Sequence, residues 1–250
     1  MENETYIQAS MITHPIISSS DTYRRGQVEW ALWRMSTIDR QAPKEPSPVF
    51  RNRIKRLLEI DRTGASEASR KGKGQLAFSE DRPEGTGFDV AFTAYDAFVL
   101  ALGLDLLRMG FVQSEVVMLM NFLRPRLGKT FGRILQNPPD PERRSARAKR
   151  HPVKPEQDRR VFLLLERVEA SEEFPALHQK GREGDNPIYR EPKICQGLGD
   201  LAHELDRMDQ VFRRALVLDL AHTAVGLSKF LAEAPEIRRG RPSSIESASA

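Results

Sequence analysis

The chain lacks the features of secreted, membrane-spanning and disulfide-stabilised proteins. It has one cysteine, Cys195, among 250 residues, which excludes an internal disulfide and a cysteine-based zinc site and indicates a reducing compartment. No stretch approaches the roughly 18 consecutive apolar residues of a membrane span. Residues 1–23 do not combine a basic start with an apolar core, as a secretory signal does. We therefore expect a cytoplasmic protein that makes no membrane contact.

Signatures of catalysis are also missing from the sequence. It contains no phosphate-binding loop, no dinucleotide-binding glycine pattern, no G-x-S-x-G and no H-E-x-x-H. The five histidines stand far apart, and neither His203 nor His222 has a second ligand at metal-binding spacing. Nothing in the sequence supplies Cys195 with a partner base. We expect a protein without enzymatic activity, metal or cofactor.

Positive charge is present in two concentrated stretches. The whole chain has a net charge of only +4, yet residues 49–74 carry +5 and residues 137–160 carry +4. Basic segments on a body that is otherwise acidic favour a polyanionic partner. For either stretch alone, an ordinary solvated surface remains the alternative.

Apolar periodicity predicts four helices in the first half. The first two lie at about 22–35 and 49–62, with Phe50, Ile54, Leu57 and Leu58 facing inward in the second. The third begins at a capping-box pattern, Thr93 and Asp96, and ends at Gly110. The fourth covers about 113–123 and ends near Pro125. Between the second and third helices, residues 75–78 and 88–92 could pair as a small hairpin.

The second half follows a basic, proline-rich linker at 136–157. "RRVFLLLERVEA" predicts a strand and "NPIYREPKICQ" a second one. From Gly199, the spacing of Leu201, Leu205, Met208, Phe212 and Leu216 predicts a helix, and the apolar stretch continues to Pro235. Trp30 and Trp33, one turn apart in the first helix, favour a place in the core over stacking on nucleic-acid bases.

Residues 92–120, "FTAYDAFVLALGLDLLRMGFVQSEVVMLM", resemble the second half of the MerR-type DNA-binding domain. The resemblance lies in Phe92-Thr93, Asp96, Gly110-Phe111 and Glu115. It implies a winged helix-turn-helix in which "FRNRIKRLLEIDR" is the recognition helix and residues 70–91 form an enlarged wing. The chain departs from the family in its loop at 39–48 and in the proline-rich linker that replaces a dimerising coiled coil. Val112 also stands where a capping residue is usual.

Surface chemistry separates the DNA-reading helix from the supporting one. Residues 116–120 are all apolar, so the fourth helix belongs in a core rather than in a hydrated groove. The second helix presents Arg, Lys and Asn, which contact phosphates and base edges. A basic solvated face is the competing interpretation. The candidate DNA-contacting residues are Arg51, Asn52, Arg53, Lys55 and Arg56 on this helix, with Arg70, Lys71 and Lys73 on the wing.

The C-terminal tail contains Arg-Gly-Arg-Pro at 239–242, which resembles the core of an AT-hook. In such a motif Arg239 and Arg241 would enter the narrow minor groove of A/T-rich DNA. A single hook would add weak, salt-sensitive affinity.

These observations predict a mainly α protein that has a winged helix-turn-helix-like N-terminal domain and a small α+β C-terminal domain. The expected parts are a disordered arm (1–21), the MerR-like domain (22–135), the linker (136–157), the α+β domain (158–235) and a disordered basic tail (236–250). The expected function is a nucleoid-associated transcriptional regulator that binds double-stranded DNA, as a homodimer formed through the apolar C-terminal helices. The alternative is an interaction adaptor that binds another protein through those helices.

Overall fold

The computed structural model describes residues 21–37, 45–69, 75–80, 91–139, 158–168, 188–189, 191–207 and 215–235. Within these ranges the fold is mainly α, as predicted, with six helices and small antiparallel sheets. In chain order the elements are β1 (Thr22–Arg24), α1 (Arg25–Ser36), α2 (Pro48–Ser69), β2 (Ala91–Thr93), α3 (Ala94–Arg108), α4 (Gln113–Gln136), β3 (Val161–Val168), β4 (Ile188–Tyr189), β5 (Lys193–Gln196), α5 (Gly197–Asp206), β6 (Ala215–Asp219) and α6 (Leu220–Ala232).

The first two strands pair with each other although they lie far apart in sequence, from Thr22↔Thr93 to Arg24↔Ala91. The predicted pairing of residues 75–78 with 88–92 is therefore wrong at its described end, because Phe92 pairs with Tyr23. Residues 75–80 form no strand; the N–H groups of Ala77 and Phe78 donate instead to the Asp61 carboxylate.

Helix α3 begins and ends where its local sequence predicts. The Thr93 side chain accepts from the Asp96 N–H at 3.0 Å, and Asp96 accepts from the Thr93 N–H at 2.8 Å, which forms the capping box. Gly110 has φ +89°, a left-handed conformation that glycine adopts without steric cost. The N–H groups of Gly110 and Phe111 close the helix end on Leu107 and Leu106.

Helix α4 does not stop at Pro125, as its sequence predicted, but continues to Gln136 with Pro125 inside it. A proline within a helix removes one backbone hydrogen bond. The helix continues because Leu127, Phe131 and Ile134 keep the apolar spacing and are all buried in the core. Tertiary packing thus outweighs the local penalty.

The four-stranded sheet of the second half is centred on β3. Strands β4 and β5 pair with one side of β3 and β6 pairs with the other; Leu163 faces both Ile194 and Leu218. The predicted strand over β3 is confirmed. The predicted helix through Leu216 is wrong at its end, because residues 215–219 pair with β3. Their continuous apolar character suits a buried strand as well as a helix.

Helix α6 packs against α1, α3 and α4, so both halves of the chain share one apolar core. This core includes Leu32 of α1, Leu100 of α3, Leu119 of α4 and Leu227 of α6. The main core of the described residues is therefore not divided at the 136–157 linker, and a smaller second cluster is formed by Phe162, Leu164, Cys195 and Leu201. The apolar face of α6, which the sequence assigned to dimerisation or to a protein partner, is buried within its own chain.

Candidate nucleic-acid interface

Over residues 48–64, where its side-chain burial is described, helix α2 packs on the core along one side. Phe50, Ile54, Leu57 and Leu58 are buried, as their spacing predicts, and Asp61 continues the same side. At about 100° per residue these positions occupy one arc of the helix and leave the opposite arc to solvent. The basic residues of α2 lie in that free arc.

All five candidate residues of α2 are exposed: Arg51, Asn52, Arg53, Lys55 and Arg56. Asn52 lies near the middle of the free arc, between Lys55 on one side and Arg56 on the other. Arg51 and Arg53 lie at its two edges. The arrangement presents an amide flanked by cations, which suits a base-edge contact flanked by phosphate contacts.

Neighbouring carboxylates partly neutralise this surface. Arg51 Nη2 lies 3.3 Å from Glu45 Oε2 and its Nε lies 3.9 Å from Glu29 Oε2. Lys55 Nζ lies 3.7 Å from Glu59 Oε1. Arg53 and Arg56 have no carboxylate at ion-pair distance within the described ranges. Among the candidate cations of α2, they are therefore the best placed to meet an external anion.

Arg53 also lines a shallow groove of about 760 Å³ between α2 and the α3–α4 turn. Arg108, the last residue of α3, contributes a second cation and forms an ion pair with Asp105 at 2.9 Å. The sequence does not single out Arg108 as a functional residue, because an arginine in the last turn of a helix is already explained by its favourable interaction with the helix dipole. The groove joins the basic arc of α2 to the start of α4, where Gln113 and Ser114 line it.

A buried polar cluster fixes residues 75–80 behind α2. Arg124 of α4 donates to the Ala77 carbonyl at 2.9 Å and forms an ion pair with Asp96 of α3. Asp61 of α2 accepts from the N–H groups of Ala77 and Phe78 at 2.9 to 3.1 Å. Burial raises the pKa of the Asp61 carboxyl above its usual range, and the two N–H groups and Arg124 oppose that shift.

The Tyr95 hydroxyl closes the cluster by donating to the Arg124 carbonyl oxygen. Burial raises the pKa of Tyr95 to about 12, so the phenol stays protonated and able to donate. This cluster has a structural role: it joins α2, α3 and α4 and anchors the residues that follow α2 in the chain.

The remaining candidate residues lie outside the described ranges. This applies to Arg70, Lys71 and Lys73 of the expected wing and to Arg239 and Arg241 of the tail. The expected arm at 1–20 and the linker residues 140–157 also lie outside them.

The tryptophan pair packs against the core with both rings partly buried. Trp33 contacts Phe50 of α2 edge-on, with 5.3 Å between ring centres, and Arg34 lies 5.9 Å from the Trp30 ring. Trp33 therefore helps to seat α2 on α1.

Other chemistry has little support among the described residues. No group of three or more His, Cys, Asp or Glu side chains there could hold a metal ion. Cys195 is buried, and burial raises the pKa of its thiol, which disfavours the reactive thiolate. Among the helices described, none is long and apolar enough to cross a membrane.

Comparison of the chain with protein-family models, with curated proteins and with solved structures gives no match in any of the three.

Proposed function

We propose that this protein is a DNA-binding transcriptional regulator that contacts duplex DNA with the exposed arc of α2. The observation that carries the proposal is the division of α2 into a buried apolar side and an exposed side that holds Arg51, Asn52, Arg53, Lys55 and Arg56. A helix that enters the major groove needs this division, because its attachment and its base contacts use opposite sides.

The α3–α4 pair acts as a support for α2 in this proposal. Val116, Leu119, Met120 and Leu123 of α4 are fully buried, so these side chains cannot reach a base edge. α2 packs directly on α4 and on α1. The MerR-like arrangement, with residues 70–91 as the wing, belongs to the proposal and places Arg70, Lys71 and Lys73 on flanking phosphates.

A homodimer would set two α2 helices on half-sites about one turn of DNA apart. Its interface is not the apolar face of α6, because Leu220, Ala224 and Leu227 are already buried. Sedimentation of the protein with and without a duplex of two half-sites tests this part of the proposal separately.

Binding of a random-sequence duplex across a salt series tests the proposal. We expect log affinity to fall linearly with log salt between about 50 and 200 mM, with a slope of roughly 0.9 per phosphate contacted. The double variant Arg53→Ala/Lys55→Ala should reduce that slope by about two. The matched control is Arg207→Ala/Lys229→Ala, which removes the same charge from exposed positions at the end of α5 and on α6. Equal slopes for the two double variants would contradict the role of α2.

The proposed AT-hook in the tail has its own test. Removal of residues 236–250 should weaken binding to A/T-rich duplexes more than to G/C-rich ones of equal length. Equal loss on both duplexes would leave the tail as a non-specific cation source and would remove Arg239 and Arg241 from the proposal.

The adaptor alternative predicts binding through the apolar C-terminal helices, but the apolar face of α6 is buried within the chain. A protein contact is favoured by a different observation, the exposed apolar turn between α3 and α4. Met109 and Val112 are 60% and 61% exposed beside the Arg53 groove. Contiguous apolar surface marks protein-interaction sites, and these two residues could form the exposed part of such a surface. If Met109→Ser/Val112→Ser leaves duplex binding intact but abolishes regulation in cells, the turn binds a protein as well.

A further inference from the structure

The second half of α4 presents a row of cations that the sequence did not predict. Beyond Pro125 the helix exposes Arg126, Lys129 and Arg133, at spacings of three and four residues. These spacings place the three side chains along one stripe of the helix. From Val116 to Gln136 the chain contains no acidic residue.

Carboxylates neutralise only one end of this row. Arg126 Nη1 lies 2.6 Å from Glu191 Oε1, and its guanidinium lies 4.8 Å from the Phe122 ring. Lys129 and Arg133 have no carboxylate at ion-pair distance in the part of the chain that the structure describes. Lys129 and Arg133 therefore present uncompensated positive charge to the solvent.

The helix dipole explains only part of this row of cations. Arg133 lies in the last turn, where a cation is favourable at the negative end of the helix dipole. Lys129 lies about two turns from the end, outside the reach of that effect. Core packing does not account for it either, because Leu127, Phe131 and Ile134 supply the buried side.

A position next to this row of cations is occupied by glycine and has no side chain. A Cβ on Gly132 would meet no atom within 4 Å, so no other part of the described structure covers the helix at this position next to Lys129. The missing side chain lets a bulky polyanion approach the helix closely enough to contact both Lys129 and Arg133. The chain then continues into 143–150, "RRSARAKR", which adds positive charge in sequence beyond the end of the helix.

We propose that Lys129 and Arg133, with Arg126 beside them, form a second surface that binds the phosphate backbone of duplex nucleic acid. The proposal rests on the proposed function but uses a different element from α2. Phosphates are favoured over a lipid surface because Phe122, the apolar residue on this stripe, packs against the core and under the Arg126 guanidinium, so it does not provide the apolar face that amphipathic membrane helices insert into a bilayer. An evenly spaced row of cations matches the repeating charge of a nucleic-acid strand.

Glutamine substitution at the two free cations tests this surface. Lys129→Gln/Arg133→Gln should lower the salt slope of duplex binding by about two, roughly one for each phosphate that is no longer neutralised. Glu191→Gln should have the opposite effect, since it releases Arg126. Lys129 and Arg133 are both exposed, so we expect the double variant to unfold at the same temperature as the wild type. The matched control is Arg207→Gln/Lys229→Gln.

The outcomes separate this proposal from the role of α2. A lower slope for Lys129→Gln/Arg133→Gln supports the second surface, even if Arg53→Ala/Lys55→Ala behaves like wild type and the α2 site fails. A slope equal to that of the control overturns it, even if the α2 variant is impaired. Loss of binding to phosphatidylglycerol vesicles without any change on duplex DNA would also overturn it, in favour of a membrane contact.

Discussion

Asp96 of α3 and Arg124 of α4 form an ion pair in the protein interior, with side chains only 2% and 4% exposed. Asp96 also caps the start of α3, and Arg124 also holds the Ala77 carbonyl. The pair therefore links the α3–α4 hairpin to the segment that follows α2. Because Asp61 of α2 accepts from the N–H of the same Ala77, the pair helps to position the proposed DNA-contacting helix.

Breaking this pair should destabilise the fold strongly. Arg124→Met leaves Asp96 buried without its counter-ion and should lower the free energy of unfolding by about 3–5 kcal/mol in urea titrations. Arg126→Met is the matched control, two residues away on the exposed face, where an ion pair is worth about 0–1 kcal/mol. Similar losses for the two variants would show that the buried pair contributes little.

Two glycines with open surroundings should respond to alanine in opposite directions. A Cβ at either Gly110 or Gly64 would meet no atom within 4 Å, but Gly110 has φ +89° whereas Gly64 lies inside α2. Gly110→Ala should cost about 1–2 kcal/mol because of the left-handed backbone. Gly64→Ala should stabilise by about 0.5–1 kcal/mol. Thermal unfolding measures both, and a neutral Gly110→Ala would contradict the helix end described for α3.

Asp158 should contribute stability that depends on pH. Its carboxylate accepts from Arg160 at 2.7 and 2.6 Å and from the Leu198 N–H at 2.9 Å. The hydrogen bonds from the Arg160 side chain lower the pKa of Asp158 from 3.8 to about 2, while partial burial opposes the shift. Because the folded-state pKa is the lower one, the stabilisation is present above about pH 4 and is lost as pH falls through about 2.

The comparison of wild type with Asp158→Asn isolates this contribution. At neutral pH the variant should be less stable by on the order of 1 kcal/mol, as for a partly exposed ion pair. The difference should shrink between about pH 4 and pH 2 in urea titrations at each pH. A constant difference over that range would mean that the charge of Asp158 is not what stabilises the start of β3 and α5.

Removal of Glu59 should strengthen duplex binding. Glu59 lies on the exposed arc of α2, 3.7 Å from Lys55, where it opposes an incoming phosphate and neutralises a cation. Glu59→Gln should raise affinity at low salt by roughly fivefold, because a unit charge about 4 Å away in water is worth about 1 kcal/mol. Glu233→Gln, at the exposed end of α6, is the control. A loss of affinity in Glu59→Gln would argue against an anionic ligand on this arc.

Features that depend on near neighbours could be predicted from the sequence. The capping box of Thr93 and Asp96 and the left-handed Gly110 are signals within a few residues, and the structure confirms both. The buried side of α2 follows from the spacing of Phe50, Ile54 and Leu57. The exposed candidate residues on that helix follow from the same spacing, because they occupy the opposite arc.

The incorrect predictions concern long-range packing. The apolar sequence of residues 215–219 suits a helix as well as a strand, and the pairing with β3 decides in favour of the strand. Strand β2 has only three residues, and its partner β1 lies at the start of the predicted domain, far from β2 in sequence. Pro125 is a valid local stop signal, which Leu127, Phe131 and Ile134 override by packing into the shared core. The cations at 129 and 133 form a helical row only because of that extension.

Photo-crosslinking from position 52 tests the central claim most directly, because it reports contact rather than affinity. A benzophenone amino acid in place of Asn52, in the middle of the exposed arc of α2, should give a covalent adduct with duplex DNA at low salt. The same group in place of Lys229, exposed on α6, should give little adduct, and raising the salt should abolish the adduct at 52. Equal crosslinking from both positions, or none from position 52 while the duplex is bound, would contradict the assignment of α2 as the DNA-contacting helix.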